Sequence, residues 1–115
     1  MAFSEFEIAK IKKEMDEYIS KHRPPPRVRN EVDLSYRLEN QSIEIFELRP
    51  RWDDPKETIE SPIVKFTYVK TQKIWRIYWQ RSDLKWYGYE PEPEKRKLTD
   101  ALSVIEKDQY GCFWG

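Results

Sequence analysis

Between residues 63 and 89 the chain interleaves cations with aromatic rings, and these residue types carry its clearest chemistry. Lys65, Lys70, Lys73, Arg76, Arg81 and Lys85 are basic, and Asp83 is the only acid in the stretch. Phe66, Tyr68, Trp75, Tyr78, Trp79, Trp86, Tyr87 and Tyr89 lie among them. A period of two puts Trp75, Ile77 and Trp79 on one face of a strand and Arg76, Tyr78 and Gln80 on the other. The next strand divides into Leu84 and Trp86 against Lys85, Tyr87 and Tyr89. One face is apolar and suits a core. The opposite face would present Arg76, Tyr78, Gln80, Lys85, Tyr87 and Tyr89, with Lys65 and Thr67 beside them. Rings next to cations suit single-stranded nucleic acid, where each stacked base contributes ~1–3 kcal/mol. The plainer account is that aromatics form strands well and that Lys and Arg solubilise an exposed face. A formal net charge of zero also fits a nucleic-acid binder less well than a basic domain would.

Other constellations are weaker. Asp33 with Glu47-Leu48-Arg49 on an adjacent hairpin resembles the acid and Glu-x-Lys arrangement with which many nucleases hold a divalent ion and activate water. Arg49 stands where that chemistry wants Lys, and a permanently charged guanidinium transfers protons poorly. Cross-strand charge pairing explains the same residues. Asp53-Asp54 before Pro55 could bind magnesium, yet such pairs commonly start turns. His22, the single histidine, falls at a helix end, where a positive imidazole favours the dipole. Glycine occurs only at 88, 111 and 115, which leaves no glycine-rich phosphate loop. Arg23, Arg27 and Arg29 around three prolines could extend a basic strip or be solvated linker charges. Tyr110, Cys112, Phe113 and Trp114 are bulky groups near the end of the sequence. A Phe-sized side chain left in water forfeits roughly 1.5–3 kcal/mol, so the tail is expected to tuck against the sheet as a plug, or else into a partner or a second copy. Gly111 and Gly115 would permit tight turns there. In the plug, Cys112 is a buried small hydrophobe, not a nucleophile.

The elements that must position these groups follow from patterning. Ser4 stands three residues before Glu7, a capping box, and Ile8, Ile11, Met15, Tyr18 and Ile19 recur at helical spacing. The helix is predicted over roughly residues 5–21 and ends where Arg23 precedes Pro24. The basic, proline-rich stretch 21–29 reads as a stiff spacer. Val32, Leu34, Tyr36 and Leu38 alternate with polar residues as a first strand, Glu39-Asn40-Gln41 turns, and 42–49 returns. Residues 50–62 read as a long polar loop. Strands are predicted at 63–70, 73–80 and 84–89, with turns at 71–72 and 81–83. Thr99 would cap a short helix over about 100–107, whose apolar face is Ala101, Leu102, Val104 and Ile105.

One domain is the natural reading of 115 residues. A chain this long can bury roughly 65% of its unfolded surface, and five Trp, seven Tyr and five Phe supply the core. No apolar run approaches the ~20 residues of a membrane helix, and the first residues lack the character of a signal peptide. The single Cys112 excludes an internal disulfide and a multi-cysteine zinc site, and a reducing cytosol is the default compartment.

Lys73-Ile74-Trp75-Arg76-Ile77-Tyr78-Trp79-Gln80-Arg81, then Asp83, Lys85-Trp86 and Tyr89, together with Leu48-Arg49-Pro50-Arg51-Trp52 and the closing Gly111-Cys112-Phe113-Trp114-Gly115, resemble the bacterial family designated domain of unknown function 3024. The resemblance runs from the first helix to the last glycine. It implies a stand-alone bacterial cytosolic protein and no particular activity. A histidine often stands in that family where this chain has Tyr87; if that histidine were catalytic, the departure would argue against its necessity.

The expected architecture is therefore a single α+β domain spanning residues 1–115. It is a curved antiparallel meander of about five strands, with an N-terminal helix and a short C-terminal helix packed on one face. The expected function is a non-catalytic binding module that uses the aromatic and basic sheet face for nucleic acid or a protein, without a metal or cofactor. Two alternatives stand beside it: an accessory protein that dimerises or docks through its aromatic C-terminal tail, and a metal-dependent nuclease-like enzyme using Asp33 and Glu47.

Overall fold

A computed structural model describes residues 3–114. Its elements are α1 (Glu5–His22), a 3-10 turn (Pro26–Val28), β1 (Asp33–Glu39), β2 (Ser42–Pro50), β3 (Thr58–Val69), β4 (Ile74–Gln80), β5 (Trp86–Gly88), β6 (Glu94–Lys95) and α2 (Leu98–Lys107). The strands form one antiparallel sheet in the order β1-β2-β3-β4-β5, and β6 pairs with β4 beside β5. This is the expected open α+β meander.

Helix α1 starts where the capping box places it. The Glu7 N–H donates to Ser4 Oγ at 3.1 Å, and Ser4 N–H donates to Glu7 Oε1 at 3.0 Å. Ile11, Met15 and Tyr18 form its buried stripe. Helix α2 buries Leu98, Ala101, Leu102, Val104 and Ile105. It starts at Leu98 with Lys97 in the N-cap position, so Thr99 lies inside its first turn and is not the cap. Both helices pack on the same side of the sheet, against Ile43, Ile45, Val64, Phe66 and Ile77, all with no exposed surface. Burying each such side chain contributes about 1.5–3 kcal/mol.

The register assigns every strand residue to a face, because directly paired residues point the same way. Leu34, Tyr36 and Leu38 face the helices with Ile45 and Ile43 opposite Tyr36 and Leu38; Ser35, Arg37 and Glu39 face outward, opposite Phe46, Glu44 and Ser42. The predicted 50–62 loop is much shorter than expected, since β3 already begins at Thr58. Pro62, read as the end of that loop, lies within β3 opposite Phe46, where the β2–β3 register shifts. Prolines are tolerated at such bulges. Strands β2 and β3 thus run past the end of β1 as a protruding hairpin arm, whose residues 51–60 are all exposed.

The β4–β5 connection departs most from expectation. Arg81–Lys85 is a five-residue loop that pairs Gln80 with Trp86, Trp79 with Tyr87 and Tyr78 with Gly88. Leu84, expected in the strand, sits in this loop at φ 65°. The strand's faces are therefore exchanged: Trp86 lies on the outer face, and Tyr87 and Tyr89 lie on the helix side.

Candidate functional site

The outer face carries neither helix. On its β3–β5 half, Lys65 and Thr67 of β3 stand opposite Tyr78 and Arg76 of β4, and Trp86 and Gly88 of β5 stand opposite Gln80 and Tyr78. Lys65 Nζ lies over the Trp86 ring, 5.9 Å from its centroid, so this side chain reaches across β4 to β5. Gln80 Nε2 donates to the Leu84 carbonyl at 3.2 Å and ties the loop to the strand. Thr67 Oγ1 and Ser42 Oγ lie 2.9 Å apart. Arg76 is exposed and has Glu94 opposite it on its other side. The space above Gly88 is open: a Cβ there would meet nothing within 4 Å.

The β1–β2 half of this face carries Asp33, Glu39 and Glu44 beside Arg37, and Asp33 and Arg37 are held in ion pairs. Arg37 lies 4.5 Å above the Phe46 ring and pairs with Glu60. Arg23 grips both carboxylate oxygens of Asp33 at 2.7 Å, and this donation holds the Asp33 carboxyl below its ordinary range.

Three of the six expected residues take the face read for them, and Lys85 does not stand in the strand where it was expected. Arg76, Tyr78 and Gln80 share the outer face, and Lys85 is exposed at the end of the adjoining loop, outside the ladder. Tyr87 and Tyr89 do not join them. Tyr87 faces the helix side, donates its hydroxyl to Asp83 Oδ2 and lies 4.3 Å beneath the Arg81 guanidinium. That bond raises the phenol's pKa and lowers that of Asp83. Tyr89 is 2% exposed and packs against Phe113 at 4.9 Å between ring centroids. The physical reason is the one-residue difference in pairing, which moves a whole strand's side chains to the other face. The same difference brings in two residues that the sequence reading placed elsewhere or passed over, Trp86 and Gly88. The signal for both was the loop length between Gln80 and Trp86.

The remaining candidates do not assemble. Asp33 faces outward while Glu47, paired with Leu34, faces the helix side, and Glu47 is engaged by Arg49 at 3.3 Å. Asp53 pairs with Arg51, and Asp54 Oδ1 accepts the Lys56 N–H. His22 stacks on Tyr18 at 4.0 Å and lies 3.3 Å from Glu106, tying α1 to α2. Among the described residues no group of three His, Cys, Asp or Glu side chains could hold a metal ion.

The tail folds back as a partial plug. Asp108 accepts the Phe113 and Trp114 N–H groups, Trp114 Nε1 donates to the Ile105 carbonyl, and Phe113 is buried. Cys112 is half-buried and burial raises its thiol pKa. Tyr110 is left exposed. Gly111 turns at φ 67°, and Gly115 lies outside the described residues. No helix is long and apolar enough to cross a membrane among the described residues.

The chain belongs to the family described as domain of unknown function (DUF3024), whose profile matches residues 3–115. No curated protein and no solved structure matches the chain.

Proposed function

We propose that this protein is a non-catalytic binding module whose outer sheet face, on its β3–β5 half, takes a short stretch of single-stranded nucleic acid. The observation that carries the reading is the open space at Gly88 on a face that also holds Tyr78 opposite it, Trp86 two residues before it, and Lys65 and Arg76 on the neighbouring strands. Two rings offer two stacking platforms, each adding ~1–3 kcal/mol per base. Lys65, Arg76 and the neighbouring Lys85 supply three cations for phosphates. At about −0.7 per neutralised phosphate for single strands, the slope of log K against log salt is about −2. The zero net charge then means a small footprint and modest affinity rather than no binding. A cytoplasmic location goes with this reading, since such strands occur there and the lone Cys112 needs no oxidising surroundings.

Fluorescence anisotropy of a short labelled single-stranded oligonucleotide at low salt tests it. The expected result is saturable binding that weakens with salt, and a Trp86→Ala variant about 5–150-fold weaker, the ratio equivalent to one stacked base. A flat titration, or equal binding by wild type and the Trp86 variant, overturns the proposal.

A further inference from the structure

On the helix side, a second surface remains that the proposed binding face does not use. A groove of about 500 Å³ opens between the first turns of α1 and α2. Phe3, Phe6, Tyr68 and Trp75 give it an aromatic lining, and Phe6 is 80% exposed at its mouth. Lys10, Arg96 and Lys97 on its rim outnumber Glu7 and Glu14.

At the far end of the molecule, the hairpin arm holds Trp52 at 93% exposure. The tip is held in shape from within. Arg51 binds Asp53 and Glu57, its N–H donates to the Glu57 carbonyl, and the Glu57 N–H donates to the Asp54 carbonyl. The indole is thus displayed on a preorganised turn, which lowers the entropy cost of docking. The tip's acids Asp53, Asp54 and Glu57 outnumber Arg51 and Lys56, giving it the charge opposite to that of the groove rim.

We infer that the groove receives the Trp52 tip of a second copy of this chain. The arm cannot reach its own groove. The start of β3 at Thr58 borders the tip and Tyr68 lines the groove, and the strand between them spans roughly 33 Å at ~3.3 Å per residue. Two copies lying side by side and antiparallel bring each tip to the other's groove, which closes the pair by a two-fold axis. Each copy then covers both the exposed Trp52 and the exposed Phe6 of its partner.

Sedimentation over a concentration series, with a photo-crosslinking amino acid at position 52, tests this. The expected results are a reversible dimer, cross-links to peptides containing Phe6 or Lys97 of the other copy, and dissociation constants raised on the order of 30-fold or more by Trp52→Ala. Lys97→Glu should weaken the dimer too, more strongly at low salt. Trp52 is too exposed for its loss to unfold the chain, and the monomeric Trp52→Ala protein should bind the oligonucleotide as before if that face is its site. A chain that stays monomeric at every concentration, a dimer indifferent to Trp52→Ala, or a mass that keeps rising beyond two copies overturns the inference.

Discussion

Gly88 faces Tyr78 across the β4–β5 ladder with free space where a side chain would stand. Gly88→Leu should fill that space without disturbing the fold, so thermal unfolding stays close to wild type while oligonucleotide binding is lost. A variant that binds normally would show that the gap is not the seat of binding. Tyr18 presents the reverse situation, since its hydroxyl is buried without a hydrogen-bond partner among the described residues. Burial, with Glu106 nearby, raises the pKa of this phenol and keeps it neutral. An unpaired buried hydroxyl costs about 1–3 kcal/mol, so Tyr18→Phe should leave stability equal or raise it, as read from urea midpoints. Asp33 sets a pH response. Its folded pKa is held below the unfolded value of about 3.9 by Arg23. The ion pair therefore stabilises fully above roughly pH 4, and the contribution fades as pH falls through the lower folded pKa. Asp33→Asn should be less stable than wild type at neutral pH, with the difference closing in strong acid.

At the scale of elements, patterning succeeds where the buried face is single and turns are tight. The α1 stripe, the β1–β2 hairpin and the apolar face of α2 were legible because helical or two-residue periodicity coincides with burial there. The outer edge of the sheet was not. Trp86 is apolar and reads as core, but the Arg81–Lys85 loop, with Leu84 at φ 65°, sets its pairing and turns it outward. Composition carries no information about which side of a short strand a loop will present. Tyr89 was misread for the same reason, and its inward position creates the socket for Phe113. That contact makes the tail part of the fold. Phe113→Ala should cost about 3–5 kcal/mol, the usual loss for a buried Phe, measurable by denaturant unfolding. A loss below 1 kcal/mol would mean the tail adds little to the core.

The molecule as a whole has two sides with different duties. One holds both helices and the main core, the other is a sheet surface whose β1–β2 half carries two ion pairs and whose β3–β5 half carries none among the described residues. The alternation of cations and rings pointed to a two-sided sheet, and the structure retains that arrangement with Trp86 in place of Tyr87 and Tyr89. The most direct measurement is an amide chemical-shift map of the isotopically labelled protein titrated with a short single-stranded oligonucleotide at low salt. The account predicts shifts concentrated at Lys65, Thr67, Arg76, Tyr78, Gly88 and the Trp86 indole. Shifts confined to the helix side, or no shifts at saturating oligonucleotide, would contradict it.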